Sequence, residues 1–314
     1  MSVTDHPSHR LRTSLLAALG ATVATLTAAP LVPVVAQSTS QPAAAATATI
    51  VRIAAAGDVA CKPPFTVGAK TCQQAATARL VTASDPTAVL ALGDLQYETG
   101  LLADFNSSYD SSWGAFKAQT NPVPGNHEYN SGGSGYYAYF GARSRNAPGY
   151  YAYNLGAWRL YALNSNCSDI SCATQVSWLQ RDLAANPRRC SLAYMHHPRF
   201  SSGQHGNDTS VAPLWSALDA AQADVVLSGH DHSYERFGRL TASGAQSANG
   251  IRSFVSGLGG KTIYGFGSVQ PGSEFRYNGS HGVLFMSLSD AGYAWQFKTI
   301  NGAIRDSGSD TCVV

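Results

Sequence analysis

Apolar residues along this chain gather into short runs that stop at a polar residue or at a glycine just before one. The run 50–56 stops at Gly57-Asp58, 88–92 at Gly93-Asp94, 190–195 at His196, and 225–227 just before Gly229-His230. Brief apolar runs bounded by turn signals read as buried strands. Between them, residues 73–82, 101–118, 175–185 and 211–221 carry helical spacing, with Val176, Leu179 and Leu183 on one core-facing stripe. Segments 150–154 and 158–163 read as paired strands, and the last third is strand-rich at 251–255, 283–288 and 293–300. Strand and helix thus alternate early and strands dominate late, with no internal repeat. That pattern predicts a layered α/β or α+β domain.

The first 36 residues follow a different pattern. His6, Arg10 and Arg12 precede an apolar stretch from Leu15 that ends in small residues at Val34-Val35-Ala36. A basic start, an apolar middle and a small-residue exit predict a secretory signal peptide over 1–36. The alternative is an uncleaved anchor, since 15–36 is just long enough to span a bilayer. Cleavage is favoured because Ala, Thr and two prolines make a poor permanent span. Residues 37–48 read as a flexible linker, leaving 49–314 as the folded domain. No later apolar segment approaches spanning length, so no stable membrane anchor is expected after cleavage.

Composition narrows the classes. The chain has 314 residues, a net charge of +2 and 44% apolar residues, which excludes a disordered chain. The charge balance also excludes a dedicated nucleic-acid partner held by bulk charge. Only 5 Lys stand beside 16 Arg, so no polybasic block is available for a membrane surface. All six cysteines follow the leader, which predicts three disulfides in an exported, extracellular protein. Six cysteines allow 15 pairings. Proximity favours Cys61–Cys72 and Cys167–Cys172, with Cys190–Cys312 left to pin the C-terminus. A structural zinc site is disfavoured because no Cys-x-x-Cys pair exists.

The polar residues that end the runs are chemically alike. Asp58, Asp94, Asn126, His196 and His230 each follow a short apolar run or its glycine. In layered α/β domains ligands bind beyond the carboxyl ends of strands. With His127, His197, His205, His232 and Tyr97, these give more donors than one metal needs. Carboxylate, amide oxygen, phenol and imidazole together suit a hydrolytic centre of two metals, with Asp94 the natural bridge.

Gly57-Asp58, Gly93-Asp94-Leu95-Gln96-Tyr97, Gly125-Asn126-His127-Glu128, Met195-His196-His197-Pro198 and Gly229-His230-Asp231-His232 resemble the ordered motifs of calcineurin-like metallophosphoesterases. The resemblance is nearer to the purple acid phosphatase branch. Ala60 stands where many of these enzymes have a histidine, and Tyr97 takes up the lost ligand as in that branch. The branch usually has glycine at the Ala60 position, which is a departure. The resemblance implies a four-layer fold of two packed mixed β-sheets flanked by helices. It implies that Asp58, Tyr97 and His232 hold Fe(III). Asn126, His196 and His230 hold a divalent Fe, Zn or Mn, and Asp94 bridges the pair. His127 and His205 are then the catalytic groups that bind phosphate oxygens and protonate the leaving group. Arg199 is a weaker candidate for a substrate contact. The activity implied is acid phosphatase, a phosphomonoesterase using metal-bound hydroxide on a phosphorylated small molecule. A phosphodiesterase on the same site, or an exported binding module without turnover, are the alternatives.

Other residues have plainer expectations. Trp113, Trp178, Trp215 and Trp295 read as core. His197 reads as structural and His281 as a surface or loop residue. Tyr136, Tyr137, Tyr139 and Phe140 read as strand packing ahead of a substrate lid, and 131–135 as a flexible loop near the site. The family resemblance extends to Gly257 to Gly260, where it implies close backbone packing near the metals.

Overall fold

The computed structural model describes residues 50–313 and the pair 24–25. The expected signal peptide and linker lie outside the described residues, that pair excepted. In chain order the elements begin with β1 (Val51–Ala56), α1 (Gln74–Ser84) and β2 (Ala88–Leu92). A broken helical stretch follows: α2 (Leu102–Asp104), a wide turn over Phe105–Tyr109 and a tight one over Trp113–Gln119. Then come β3 (Thr120–Val123), α3 (Asn126–Tyr129), α4 (Ser134–Phe140), β4 (Tyr151–Leu155), β5 (Trp158–Ala162), α5 (Cys172–Ala185) and β6 (Ser191–Tyr194). The chain continues through α6 (Ala212–Ala220), β7 (Val225–Ser228), β8 (Tyr234–Leu240) and β9 (Ile251–Ser256). It ends with β10 (Ser273–Tyr277), β11 (Gly282–Leu288), β12 (Gly292–Thr299) and β13 (Ile304–Thr311).

These strands form a six-stranded sheet, β13-β12-β11-β1-β2-β3, and a seven-stranded sheet, β10-β8-β9-β7-β6-β5-β4. Both are mixed: β1-β2-β3 run parallel, as do β5-β6-β7-β9, and the flanking pairs are antiparallel. Alternation along β1 explains the layering. Ile53 and Ala55 join Leu90, Leu284, Leu192, Leu227 and Phe254 in a core between the two sheets. Ala54 and Ala56 face the other way, against Phe105, Tyr109 and Trp113 of the broken helical stretch. On the far side Ala193 and Val226 meet Leu179 of α5 and Leu214, Trp215 and Leu218 of α6. Parallel strands covered on both faces read as continuous apolar runs, which is why these were legible.

Several expectations need correction. The helix expected over 101–118 is broken, because serine hydroxyls compete for its carbonyls. Ser107 Oγ donates to Ala103 O (2.9 Å), and Ser112 Oγ to Ser108 O and Tyr109 O (3.1 Å each). The aromatic cluster at 136–140 is helical, with Tyr136, Tyr139 and Phe140 buried on one side of α4. The glycine-rich 131–135 segment is a turn over 131–133 followed by the first two residues of that helix, with Gly133 at φ 75° as its N-cap. His281 lies in the loop before β11 but is not at the surface: it is fully buried and donates from Nε2 to Lys261 O (2.8 Å). The expected disulfides need no correction: they join Cys61 to Cys72, Cys167 to Cys172 and Cys190 to Cys312, and no cysteine among the described residues is free.

Candidate metal centre

The pairing of β1 with β2 continues past both strand ends. Asp58, Val59 and Ala60 donate their N–H groups to Gly93, Asp94 and Leu95 carbonyls at 2.9–3.0 Å, and Tyr97 N returns to Ala60 O (2.9 Å). Two carboxylates are therefore delivered side by side at the carboxyl edge of the sheet. Ala60 is fully buried in this ladder, so its methyl group is accommodated where the resembling branch has glycine. The end of β6 is tied to the end of β7 through Gly229 N to His196 O (3.0 Å), which brings His196 and His230 to the same edge.

Three of the residues there hold left-handed backbone: Asp58 (φ 60°), Asp94 (φ 49°) and His230 (φ 72°). Such conformations cost roughly 1 kcal/mol or more each and gather at functional sites. Gly125 is required by a close approach, since a Cβ there would stand 2.1 Å from Asp94 Oδ1. Gly257 likewise leaves no room for a Cβ beside Asp231 O (2.1 Å) and Asp58 Oδ2 (2.7 Å).

All seven expected ligands converge. Tyr97 OH lies 2.9 Å from Asp58 Oδ1, 2.9 Å from His232 Nε2 and 3.1 Å from Asp94 Oδ2. His196 Nε2 lies 3.1 Å from Asn126 Oδ1, 3.2 Å from His230 Nδ1 and 3.3 Å from that same Asp94 Oδ2. Two donor groups thus share one carboxylate oxygen. Backbone carbonyls orient the imidazoles. His196 Nδ1–H donates to Leu92 O (2.9 Å) and His232 Nδ1–H to Thr262 O, so each Nε2 is left as the donor atom facing the cluster.

The two expected catalytic histidines flank this cluster. His127 Nδ1–H donates to Glu98 O (2.6 Å), its N–H to Asp94 Oδ1 (2.9 Å), and its Nε2 stands 3.8 Å from Asp94 Oδ2. The His205 ring lies against His230 with centroids 4.4 Å apart. Arg199 rests on the Phe200 ring (4.6 Å), and its Nε is buried with no partner among the described residues. His197, set aside from the sequence as structural, has a ring nitrogen within 4.8 Å of donor atoms of His196 and His230. Its Nδ1 meets Ser165 Oγ (2.8 Å). Cys190, Asp224 and Cys312 also cluster, but there the sulfurs are joined to each other.

Burial pushes the Asp94 carboxyl up, but the His196 and His127 imidazoles outweigh it and hold it well below the usual carboxylate range. Burial pushes His196 down, yet the facing Asp94 carboxylate holds it up at about 9. Burial, with the Asp58 and Asp94 charges added, drives the Tyr97 phenol well above its ordinary value. Burial and the His196 charge push His230 far down and bring His197 to about 4. Buried carboxylates and a buried phenol that repel one another fit the field of a multivalent cation.

Sequence reasoning missed the groups that hold this cluster. Glu128 Oε2 accepts the N–H groups of Asp94 (2.9 Å) and Gly125 (2.8 Å), and Oε1 those of Leu95 (2.9 Å) and Gln96 (3.0 Å). Burial and the Asp94 charge push this carboxyl up to about 7 against those four donors. Lys261 pairs with Glu98 and places Nζ 4.4 Å from the Tyr97 ring centre. Tyr264 stacks on His232 with centroids 3.9 Å apart. The only signal for Glu128 was its place in the Gly-Asn-His-Glu quartet.

A family model described as calcineurin-like phosphoesterase matches residues 51–234. Purple acid phosphatase 22 of Arabidopsis thaliana is 31% identical over 140 residues, 41% of this chain. The matched stretch spans 32% of that relative's length. A purple acid phosphatase from yellow lupin (Lupinus luteus) seeds has a similar solved structure, with a TM-score of 0.68, 18% identity, and coverage of 84% of this chain and 54% of that one. GAP50, described as the anchor in the inner membrane complex of Plasmodium, superposes with a TM-score of 0.65 at 14% identity, covering 84% of this chain and 90% of that one. At these identities the two structures speak for the fold.

Proposed function

This chain belongs to the calcineurin-like phosphoesterase family, and on that premise we propose that it is an exported acid phosphatase acting on phosphoric monoesters. Residues 49–314 form its catalytic domain behind a secretory signal at 1–36. Three disulfides support the export reading. Among the described residues, no helix is long and apolar enough to cross a membrane.

One observation carries the proposal: Asp94 Oδ2 stands 3.1 Å from Tyr97 OH and 3.3 Å from His196 Nε2. It belongs at once to a hard donor group and to a borderline one. Asp58, Tyr97 and His232 would hold a trivalent iron, for which phenolate and carboxylate are suited; Asn126, His196 and His230 would hold a divalent iron, zinc or manganese. Bound there, the two ions supply Lewis acidity toward water and toward the phosphoryl oxygens.

The chain's own residues do the rest. The Glu98 carbonyl accepts the Nδ1 proton of His127, so Nε2 faces the cluster, and when that nitrogen also carries a proton it donates to a phosphoryl oxygen. His205 approaches from the His230 side and delivers the proton to the leaving oxygen. A general acid works only in its protonated form, so this reading predicts activity on the acid side.

Metal analysis of the natively purified protein, with rates on 4-nitrophenyl phosphate and bis(4-nitrophenyl) phosphate from acid to neutral pH, tests this. Two metals per chain and faster monoester turnover at acid pH are expected. Faster diester turnover makes it a phosphodiesterase. Two metals without turnover make it a binding module, and no metal sinks the proposal. Tyr97→Phe is expected to abolish a visible absorbance band while leaving the protein folded by circular dichroism.

A further inference from the structure

Asp231 lies between two expected ligands, His230 and His232, yet its carboxylate points away from them into the loop that carries His205. Asp231 is fully buried. Its Oδ1 accepts the backbone N–H of His205 (2.8 Å), and its Oδ2 accepts the hydroxyl of Ser201. Ser201 Oγ in turn accepts the N–H of Gly203 (2.9 Å). The loop closes so tightly here that a Cβ on Gly203 would stand 2.1 Å from the Asp231 carboxyl carbon. From farther along the same segment, Glu235 takes the N–H and hydroxyl of Ser202 (2.7 and 2.6 Å). The backbone held by these contacts carries the His205 ring, which lies against His230 at 4.4 Å between centroids.

We infer that Asp231 is a positioning residue: it ties the His205 loop to the ligand segment 230–232 and so sets the distance between the proton donor and the reacting phosphoryl group. The inference rests on the phosphomonoesterase reading above and adds to it which residue makes His205 effective. A general acid must reach its leaving oxygen within hydrogen-bond distance, and a misplacement of about 1 Å costs on the order of a hundredfold. Such a loss has a signature. An ester with an acidic leaving group departs without a proton, whereas an alkyl phosphate needs one, so only the second depends strongly on where His205 sits.

The test compares wild-type holoprotein with Asp231→Asn, Asp231→Ala and Gly203→Ala on 4-nitrophenyl phosphate and on ethyl phosphate. Asn keeps one acceptor and nearly the same volume; Ala removes both. Turnover of ethyl phosphate is expected to fall by about thirtyfold or more in Asp231→Ala, with Asp231→Asn between it and wild type. Turnover of 4-nitrophenyl phosphate is expected to fall several-fold less in each. Gly203→Ala, whose Cβ would collide with the Asp231 carboxyl and push the loop off it while leaving both acceptor oxygens in the chain, should reproduce the selectivity. Amide hydrogen exchange supplies a readout apart from turnover: the His205 amide should lose protection in Asp231→Asn. Equal losses on both esters, an unchanged His205 amide, or loss of bound metal in Asp231→Asn would each overturn the inference. Wild-type holoprotein that hydrolyses neither ester overturns the phosphomonoesterase reading and this inference with it. Wild-type hydrolysis with an unaltered ester ratio in the variants overturns this inference alone.

Discussion

Glu128 ligates nothing in the proposed centre, yet four backbone N–H groups end on its carboxylate. It holds the loop bearing Asp94 and Tyr97 against the turn bearing Asn126 and His127. Glu128→Gln replaces an acceptor oxygen with a donor NH2, leaving at least one buried N–H unpaired at about 1–3 kcal/mol. The expected outcome is metal affinity weaker by about ten- to a hundredfold, as for other groups that orient ligands, measured by chelator competition. A folded variant with wild-type affinity would falsify the clasp. Of the expected ligands, Asp58, Asp94, Asn126, His196 and His230 were legible because each follows a glycine or an apolar run, where a strand ends, whereas Tyr97 and His232 were legible through the motifs they close. Glu128 and Asp231 were visible only as letters of their motifs. Their partners, Leu95 and Ser201, lie some thirty residues away (|i−j| of 33 and 30) and become neighbours through strand order.

At the scale of elements, the strands that escaped the sequence are those without continuous apolar runs. β3 carries Pro122, tolerated because β3 is the edge of its sheet. β8 carries Glu235, Arg236 and Arg239, and β13 reads Ile-Arg-Asp-Ser-Gly-Ser-Asp-Thr. In β8 and β13 polar partners add to what apolar burial there is. The Asp306 carboxylate of β13 accepts from Tyr234 OH (2.8 Å), Arg236 Nε (2.8 Å) and Trp295 Nε1 (3.0 Å), joining one sheet to the other. Arg236 and Arg252 both lie over the Trp295 ring, at 5.2 and 5.3 Å. Asp306→Ala strands a buried phenol, an indole N–H and part of a guanidinium. It is expected to destabilise the protein by about 3 kcal/mol, measured as a shift in urea midpoint at unchanged slope.

The whole molecule integrates two pH- and ligand-linked effects. Asp224 receives the N–H groups of Ser191 (2.8 Å) and Val313 (2.6 Å) beside the Cys190–Cys312 bridge. Burial outweighs these donors and raises its carboxyl from 3.8 to about 6. Between those values the unfolded chain has lost the proton and the folded chain keeps it. Stability from this group is therefore present at low pH and declines as pH rises through that window. Wild type should lose stability relative to Asp224→Asn from about pH 4 to about pH 6, then run parallel. Urea midpoints across that range check it; parallel curves throughout would contradict it. Metal removal is the second effect. An ion held at a thousand times its dissociation constant stabilises by about 4 kcal/mol, so chelation should lower the melting temperature by on the order of ten degrees. Calorimetry before and after re-addition of metal measures the change, which should reverse.

From the sequence alone followed the layered class, the strand-terminal ligands, the disulfide partners and the family resemblance, because these depend on residue type, order and short spacing. Tertiary structure alone decided that one oxygen of Asp94 serves both donor groups, that Glu128 and Asp231 hold the loops around it, and that polar β13 completes a sheet. Those outcomes depend on distances of a few ångströms between segments far apart in the chain, set by strand order and packing rather than by any local pattern.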